Sequence, residues 1–463
     1  MSALTSRAAR AVPCAALCAA LLLSAGCRAQ EDGGDGALVF WTPHVTPDRL
    51  AQQEATARAF TEETGIEVEV VPMSAADQNQ SMVSGAVSGN VPDVALIAPD
   101  QASAWHDQGL LDTEVPAEVI EALGPSTFSG RAVDMVTLDG GPVAVPSDGW
   151  GQVLVYRTDL FEEAGLDPPE TLADVAQAAE VLDSGGRAGI VLGTAPGDPF
   201  TTQTLEAVLL AGGCELVDGT GAVALETPEC VGALEKYARM AGASVPGDQD
   251  VETTRAAYLA GDAAMLFWGS HIFDELAGLA PDFPPTCEEC AGDPAFLAER
   301  SAAVGALRTP NGSAAQYGLT LNLGVPRGAD TAAARRFVEY LLGPAYTEVL
   351  AVSPEGRIPM RTGTPDDPEA YTRAWAELPA GEDDATRAPL SDFYDEATVR
   401  DIAESAQAFR RWGFGTRHAA FAGALASQNT LSRDVGPLFG GAPPAEVARS
   451  MADDARAVQA EIE

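Results

Sequence analysis

Apolar positions along the chain fall into alternating short runs and helical stripes. Residues 37–41, Ala-Leu-Val-Phe-Trp, are a short apolar run that predicts a buried strand. Thr46 and Pro47 supply an N-cap and a proline at the first helical position, so a helix is expected to run to Thr64, where Gly65 stops it. Ile66, Val68 and Val70 alternate with Glu67 and Glu69, the period-two pattern of a second strand. A polar helix over about 76–88 and a strand from Asp93 to Ala98 extend the order to strand, helix, strand, helix, strand. That alternation predicts a parallel sheet covered on both faces. Ligands of such sheets bind beyond the carboxyl ends of the strands, here occupied by Trp41 to His44 and by Pro99 and Asp100.

Residues 142–156 predict an apolar strand, a Pro-Ser-Asp-Gly turn and a second strand, which suits a crossing between two lobes. Helical stretches near 172–183, 203–211, 228–241 and 252–260 alternate with short strands and predict a second α/β lobe. The strand Ala263 to Trp268 ends at Gly269-Ser270-His271, again a carboxyl end. Pro281 to Pro310 reads as an insertion or long loop. Tyr317 to Val325 is then expected as a strand and Thr331 to Leu342 as a helix whose Phe337, Tyr340, Leu341 and Leu342 face a core. The remainder reads as mainly helical.

At 463 residues with 46% hydrophobic content the chain is long enough for two cores. Asp and Glu number 68 against 27 Lys and Arg, a formal net charge of −41 that argues against nucleic acid, because phosphate binding needs clustered cations. Lys236 is the single lysine, so the positive charge is almost all arginine. An acidic shell of this kind favours solubility.

Arg7 and Arg10 precede the run Ala11 to Leu23, which is too short to cross a bilayer as a permanent helix and reads as an export signal over residues 1–26. The run ends in Leu-Leu-Leu-Ser-Ala-Gly-Cys, which resembles the bacterial lipobox, with Cys27 as the cysteine that takes lipid and becomes the new N-terminus. The alternative is an ordinary cleaved signal in which Cys27 is incidental. Residues 27–37, rich in Gly and Asp, suit a flexible tether. Four cysteines follow, Cys214, Cys230, Cys287 and Cys290, an even number suited to disulfides in an exported protein. Three pairings are formally open. The turn-rich stretches between them favour Cys214 with Cys230 and Cys287 with Cys290 over a redox or zinc use of Cys-Glu-Glu-Cys, for which no second pair or nearby His is present.

Six blocks in order carry a family resemblance: LVFWTPH with FTEETGIEV, VPDVALIAPDQASAWHDQGLLDT, AVPSDGWGQVLVYRTDLFEEAGLDPPETLADV, GDAAMLFWGSH, GVPRGADTAAARRFVEYLL and GRIPMR. The chain resembles the extracellular solute-binding proteins of ABC importers, in the carbohydrate-type group similar to maltose-binding proteins. The resemblance spans most of 37–463 and is weakest over 280–310 and 362–400. It implies a two-lobe α/β fold of the type II periplasmic-binding-protein kind, with a hinge and an interlobe cleft. The lobes it implies are 38–147 plus about 305–355, and 148–304 plus about 356–463. It further implies an exported monomer, held to the cell membrane by lipid on Cys27 and facing the periplasm or cell exterior. Such a protein captures a small solute, a sugar or oligosaccharide, and delivers it to an ABC permease. No cofactor, metal or catalytic group is expected.

Sugar sites pair flat aromatic rings with carboxylates, amides and arginines. Trp150, flanked by Asp148, Gly149 and Gly151, stands at the entry to the second lobe, from which the family contacts sugar. Trp41 and Trp268 end strands, and core packing is an equal alternative for each. His271 stands where the family often places a stacking aromatic, a departure that argues against a maltodextrin. Trp412 resembles a late family aromatic offered to the cleft, with packing as the alternative. Asp100 is either an acceptor for sugar hydroxyls or the N-cap of the helix holding Trp105. His44, Tyr317 and Arg357 complete the candidates. The rival classes are a glycoside hydrolase, for which no Gly-x-Ser-x-Gly elbow, zinc helix or phosphate loop is present, and a sensor of the same fold with a signalling partner.

Overall fold

Phe40 and Trp41 are neighbours in sequence and lie on opposite faces of one sheet, which sets the layering of the first half of the molecule. The computed structural model describes residues 36–381 and 385–462. The expected signal 1–26, Cys27 and the tether as far as residue 35 lie outside the described residues.

Three strands, β1 (Leu38–Thr42), β2 (Val68–Pro72) and β3 (Val94–Ile97), pair in parallel in the order β2-β1-β3, with Phe40 opposite Val70 and Val94. Helix α1 (Pro47–Thr64) covers one face and ends at Gly65, whose φ of 73° suits glycine and whose N–H closes on Thr61. On that face Phe40, Phe60 and Phe337 meet edge to face, at centroid separations of 5.5 and 5.1 Å. Helices α2 (Ala75–Ser88) and α3 (Pro99–Asp107) contribute Met82, Ala102 and Trp105 to a second cluster, with Trp41 and Ile97, on the opposite face. These elements match the expected order within a residue or two.

Two long antiparallel strands tie this half to the next. Val145–Arg157 and Ala314–Gly324 pair from Val145 opposite Leu323 to Gly151 opposite Gly318. Ala314–Gly324 also pairs with β3, and Ile358–Pro359 adds an outer strand against Asp148 and Gly149. Beyond Gln152 the first long strand pairs instead with Met265–Gly269 and Ser301–Val304, forming the second half of the sheet. The change of strand partners therefore falls inside the two long strands, near Gly151 and Gly318.

The expected Pro-Ser-Asp-Gly turn is not a turn. The strand runs straight through it, with Ser147 as an extra residue where the register shifts between Leu321 and Asn322. A bulge tolerates Pro146, which has no N–H to give the ladder. The segment 281–310 is likewise more than a loop, since it holds Ser301–Val304, paired with Leu154 to Arg157, and Leu307–Arg308, paired with Ala314 and Ala315.

Helices Leu172–Leu182, Pro199–Ala211 and Pro228–Gly242 pack the second half around Leu154, Met265 and Phe267. Both expected disulfides are present, Cys214–Cys230 and Cys287–Cys290. Helices Ala419–Ser427, Thr430–Phe439 and Pro444–Ile462 close the chain over the same core.

Candidate ligand-binding cavity at the crossing strands

Where the two halves meet, a cavity of about 320 Å³ opens between the end of β1, the first turn of α1, the crossing strands, the turn after Met265–Gly269 and residues 353–357. Its size falls at the small end of ordinary ligand pockets, roughly 300–1,000 Å³. Each wall follows from a strand or helix end. β1 stops at Thr42, whose hydroxyl accepts the His44 backbone N–H at 3.2 Å and turns that ring toward the cavity. Arg49, one turn into α1, donates to Ser353 Oγ at 3.1 Å and lies 3.9 Å from Glu355.

At the floor, Arg357 Nη1 stands 2.8 Å from Asp148 Oδ1, both side chains being almost wholly buried. Ser147 Oγ donates to the other Asp148 oxygen at 2.8 Å. Burial pushes the Asp148 carboxyl above its usual range, and Arg357 and Ser147 pull it back. Arg357 also donates to the ring of His44. Burial, with Arg357 and Arg49 close by, holds His44 down to about 2, so the ring is neutral and accepts from arginine.

Trp150 is the half-exposed aromatic of the floor. His271 meets it edge-on at 5.8 Å and Tyr317 lies tilted at 5.9 Å. Glycine flanks it for reasons of space: a Cβ at Gly149 would sit 2.4 Å from the Leu319 carbonyl, and one at Gly151 would meet Gln316 and Phe409 below 3 Å. The far wall carries His271, Asp274 and Glu275. Behind it, Arg255 pairs with Glu275 at 3.2 Å and is sandwiched by Phe283 at 3.5 Å and Trp268 at 5.6 Å. Burial, then Arg255 and Arg49, lower His271 to about 4. Both cavity histidines are thus uncharged at neutral pH.

Of the candidates read from sequence, His44, Asp148, Trp150, His271 and Arg357 come together on this cavity. Three tryptophans do not. Trp41 lies in the cluster beneath α2 and α3, because strand alternation turns it sideways one residue before the strand ends. Trp268 is buried with its indole N–H on Val251 O at 3.2 Å, and Trp412 is buried with its N–H on Cys214 O at 3.0 Å. For all three the structure shows packing. Asp100 is exposed in the first turn of α3, one place past Pro99, and the N-cap position belongs to Ala98. Tyr317 is buried under Arg411, 4.5 Å from the ring centroid, and burial raises its hydroxyl well above the usual range.

Sequence reasoning missed Arg49, Asp274, Glu275, Ser353 and Glu355. Each sits within five residues of a candidate it did find, namely His44, His271 or Arg357, and that proximity was the available signal. Glu206 and Arg411 were also missed. They pair at 3.0 Å beside Tyr317. Among the described residues no cluster of His, Cys, Asp or Glu could hold a metal ion, and no helix is long and apolar enough to cross a membrane.

The profile of the bacterial extracellular solute-binding proteins matches residues 55–380. The chain belongs to this family. A putative ABC transporter periplasmic-binding protein, YcjN of Escherichia coli K12, is 26% identical over 327 residues, covering 69% of this chain and 71% of that one. Among solved structures, a cyclic α-maltosyl-1,6-maltose binding protein from Arthrobacter globiformis superposes with a TM-score of 0.68 at 19% identity, over 92% of this chain and 99% of the other. A solute-binding protein of Agrobacterium radiobacter K84, in complex with ribitol, gives 0.63 at 18% identity, over 91% and 98%. At these identities the likeness is one of fold. The architecture of this solute-binding protein is the two-lobe, type II one, and its cavity is lined in part by the two crossing strands.

Proposed function

We propose that this solute-binding protein captures a small hydroxylated solute, a sugar, by closing its two lobes around it and delivers it to the membrane subunits of an ABC importer. The carrying observation is one cavity walled by side chains from the end of β1, the start of α1, the crossing strand, the turn after Met265–Gly269 and residues 353–357, which in this reading belong to both lobes. A ligand that touches both lobes binds the closed arrangement better and so shifts the population toward it. In this reading Trp150 offers a ring face, Asp148, Arg357, His44 and His271 exchange hydrogen bonds with hydroxyls, and Trp268 supports His271 from behind. The protein acts as a monomer without catalysis. Lipid on Cys27 anchors it outside the cell membrane after residues 1–26 are removed, and residues 28–37 tether lobes divided near 148, 305 and 356.

The test is a thermal-shift screen of sugars, polyols, polyamines and osmolytes, because a ligand at 100 times its Kd stabilises the folded state by about 2.7 kcal/mol. A sugar or polyol that raises the melting temperature of the parent and fails to do so for Trp150→Ala supports the proposal. A polyamine as the sole stabiliser overturns the sugar assignment. Loss of membrane association in Cys27→Ser tests the anchor separately.

A further inference from the structure

We infer that the cavity takes a single-unit polyhydroxy solute, a monosaccharide or an open-chain polyol, and not an oligosaccharide, because it exposes one tryptophan ring and both flanks of that ring are filled. This rests on the sugar-binding reading above and narrows it.

A saccharide chain presents an apolar face on successive rings, so a site built for one needs successive aromatic platforms. The chain has six tryptophans and all six are among the described residues. Five are buried in packing. Four of those five are also pinned by their indole N–H: Trp105 to Asn79, Trp268 to Val251, Trp375 to Pro354 and Trp412 to Cys214. Turning any of them out would strand a buried partner, at a cost of about 1–3 kcal/mol for each lost hydrogen bond. That leaves Trp150, with His271 against one flank and Tyr317 against another.

Polar groups are dense by comparison. The cavity holds about 320 Å³. Around it stand two pairs of opposite charge, Arg357 with Asp148 and Arg49 with Glu355. The Glu355 oxygen Oε2 is buried with no hydrogen-bond partner. An acceptor left bare in a cavity wall suits a hydroxyl donor from the ligand. A free monosaccharide or alditol carries a hydroxyl on nearly every carbon, whereas each glycosidic link in a chain consumes them.

The experiment is titration calorimetry of the full-length chain with aldoses, alditols from four to six carbons, disaccharides and maltotriose, repeated with Trp150→Ala and Glu355→Gln. The expected result is one monosaccharide or alditol that binds at least tenfold tighter than maltotriose, and loses at least tenfold in both variants while their melting temperatures stay within a few degrees of the parent. Maltotriose or another chain binding as tightly as any single unit overturns the inference and leaves the sugar-binding proposal standing. Affinity unchanged by Trp150→Ala also overturns it. Binding of no carbohydrate at all overturns the proposed function itself.

Discussion

Arg357 and Asp148 face each other at 2.8 Å with almost no access to solvent, and the same guanidinium donates to His44. One side chain therefore ties the outer strand at 358–359, the crossing strand and the end of β1. Removing one partner of a buried ion pair leaves the other charge uncompensated, at about 3–5 kcal/mol. Arg357→Met is expected to lower stability by that amount in urea unfolding at pH 7. Adding Asp148→Asn should restore much of it. If the double variant is no more stable than the single one, the cost lies in lost packing.

The two cavity histidines make stability fall in mild acid. Both are neutral in the native state, with His271 at about 4 and His44 at about 2, whereas an unfolded histidine protonates near 6.5. Below about pH 6.5 the unfolded state binds more protons, so stability drops as the pH falls, by up to about 1.4 kcal/mol per pH unit for each histidine. The loss continues to about pH 4 for His271 and to about pH 2 for His44. Urea midpoints at pH 7, 6, 5 and 4.5 should decline, and His271→Gln should make the decline shallower. An equal slope in that variant would show that other groups set it.

Asp434 works in the opposite direction. Burial, then the neighbouring Asp454 carboxylate, raise it to about 7, with Arg433 opposing. Its native value exceeds the unfolded value near 3.9, so its contribution is complete below about pH 4 and fades as the pH rises to about 7. Asp434→Asn should melt above the parent at pH 8, with the difference shrinking toward pH 4, as read by calorimetric scans at the two pH values.

Much of this architecture was legible because local chemistry and tertiary structure agree there. Gly65 had to stop α1, the Ile66 to Val70 alternation had to be a strand, and Trp150 between two glycines and Asp148 stood out. The misreadings have physical causes. Pro146, Asp148 and Gly149 carry turn chemistry, yet a one-residue bulge and the close approach of Leu319 make them strand. Trp41, Trp268 and Trp412 marked strand ends and a late motif, but sequence does not tell which face a ring takes. The cavity's second rank, Arg49, Ser353 and Glu355, is assembled from α1 and residues some 300 positions later, a tertiary pairing of which sequence shows only that each lies within five positions of His44 or Arg357.

Behind the cavity wall, Arg255 is a positioning residue. It touches Glu275, Trp268 and Phe283, and Trp268 in turn lies 4.6 Å from His271. Phe283→Ala removes one face of the sandwich and should cost about 0.5–2 kcal/mol. Arg255→Met should weaken ligand binding at least fivefold and raise the His271 pKa, read by NMR titration, because one of the charges lowering it is gone. A purely structural role would lower the melting temperature and leave the His271 titration where it is.

The two disulfides differ in what they restrain, and their removal should differ accordingly. Cys214–Cys230 closes sixteen positions of chain and joins the end of helix Pro199–Ala211 to the start of Pro228–Gly242. Cys287–Cys290 closes three. In the chain-entropy account the longer loop contributes about 3 kcal/mol and the shorter about 1.6 kcal/mol, since the closure term grows only with the logarithm of length. Replacing both cysteines of a pair with alanine should therefore cost more at 214 and 230 than at 287 and 290, measured as denaturant midpoints under non-reducing conditions. The reverse order would mean that the short bridge does something the entropy of the unfolded chain does not describe. The candidate would be the support of Phe283, four residues before Cys287, against Arg255, and ligand affinity in the 287 and 290 double variant would then fall along with stability.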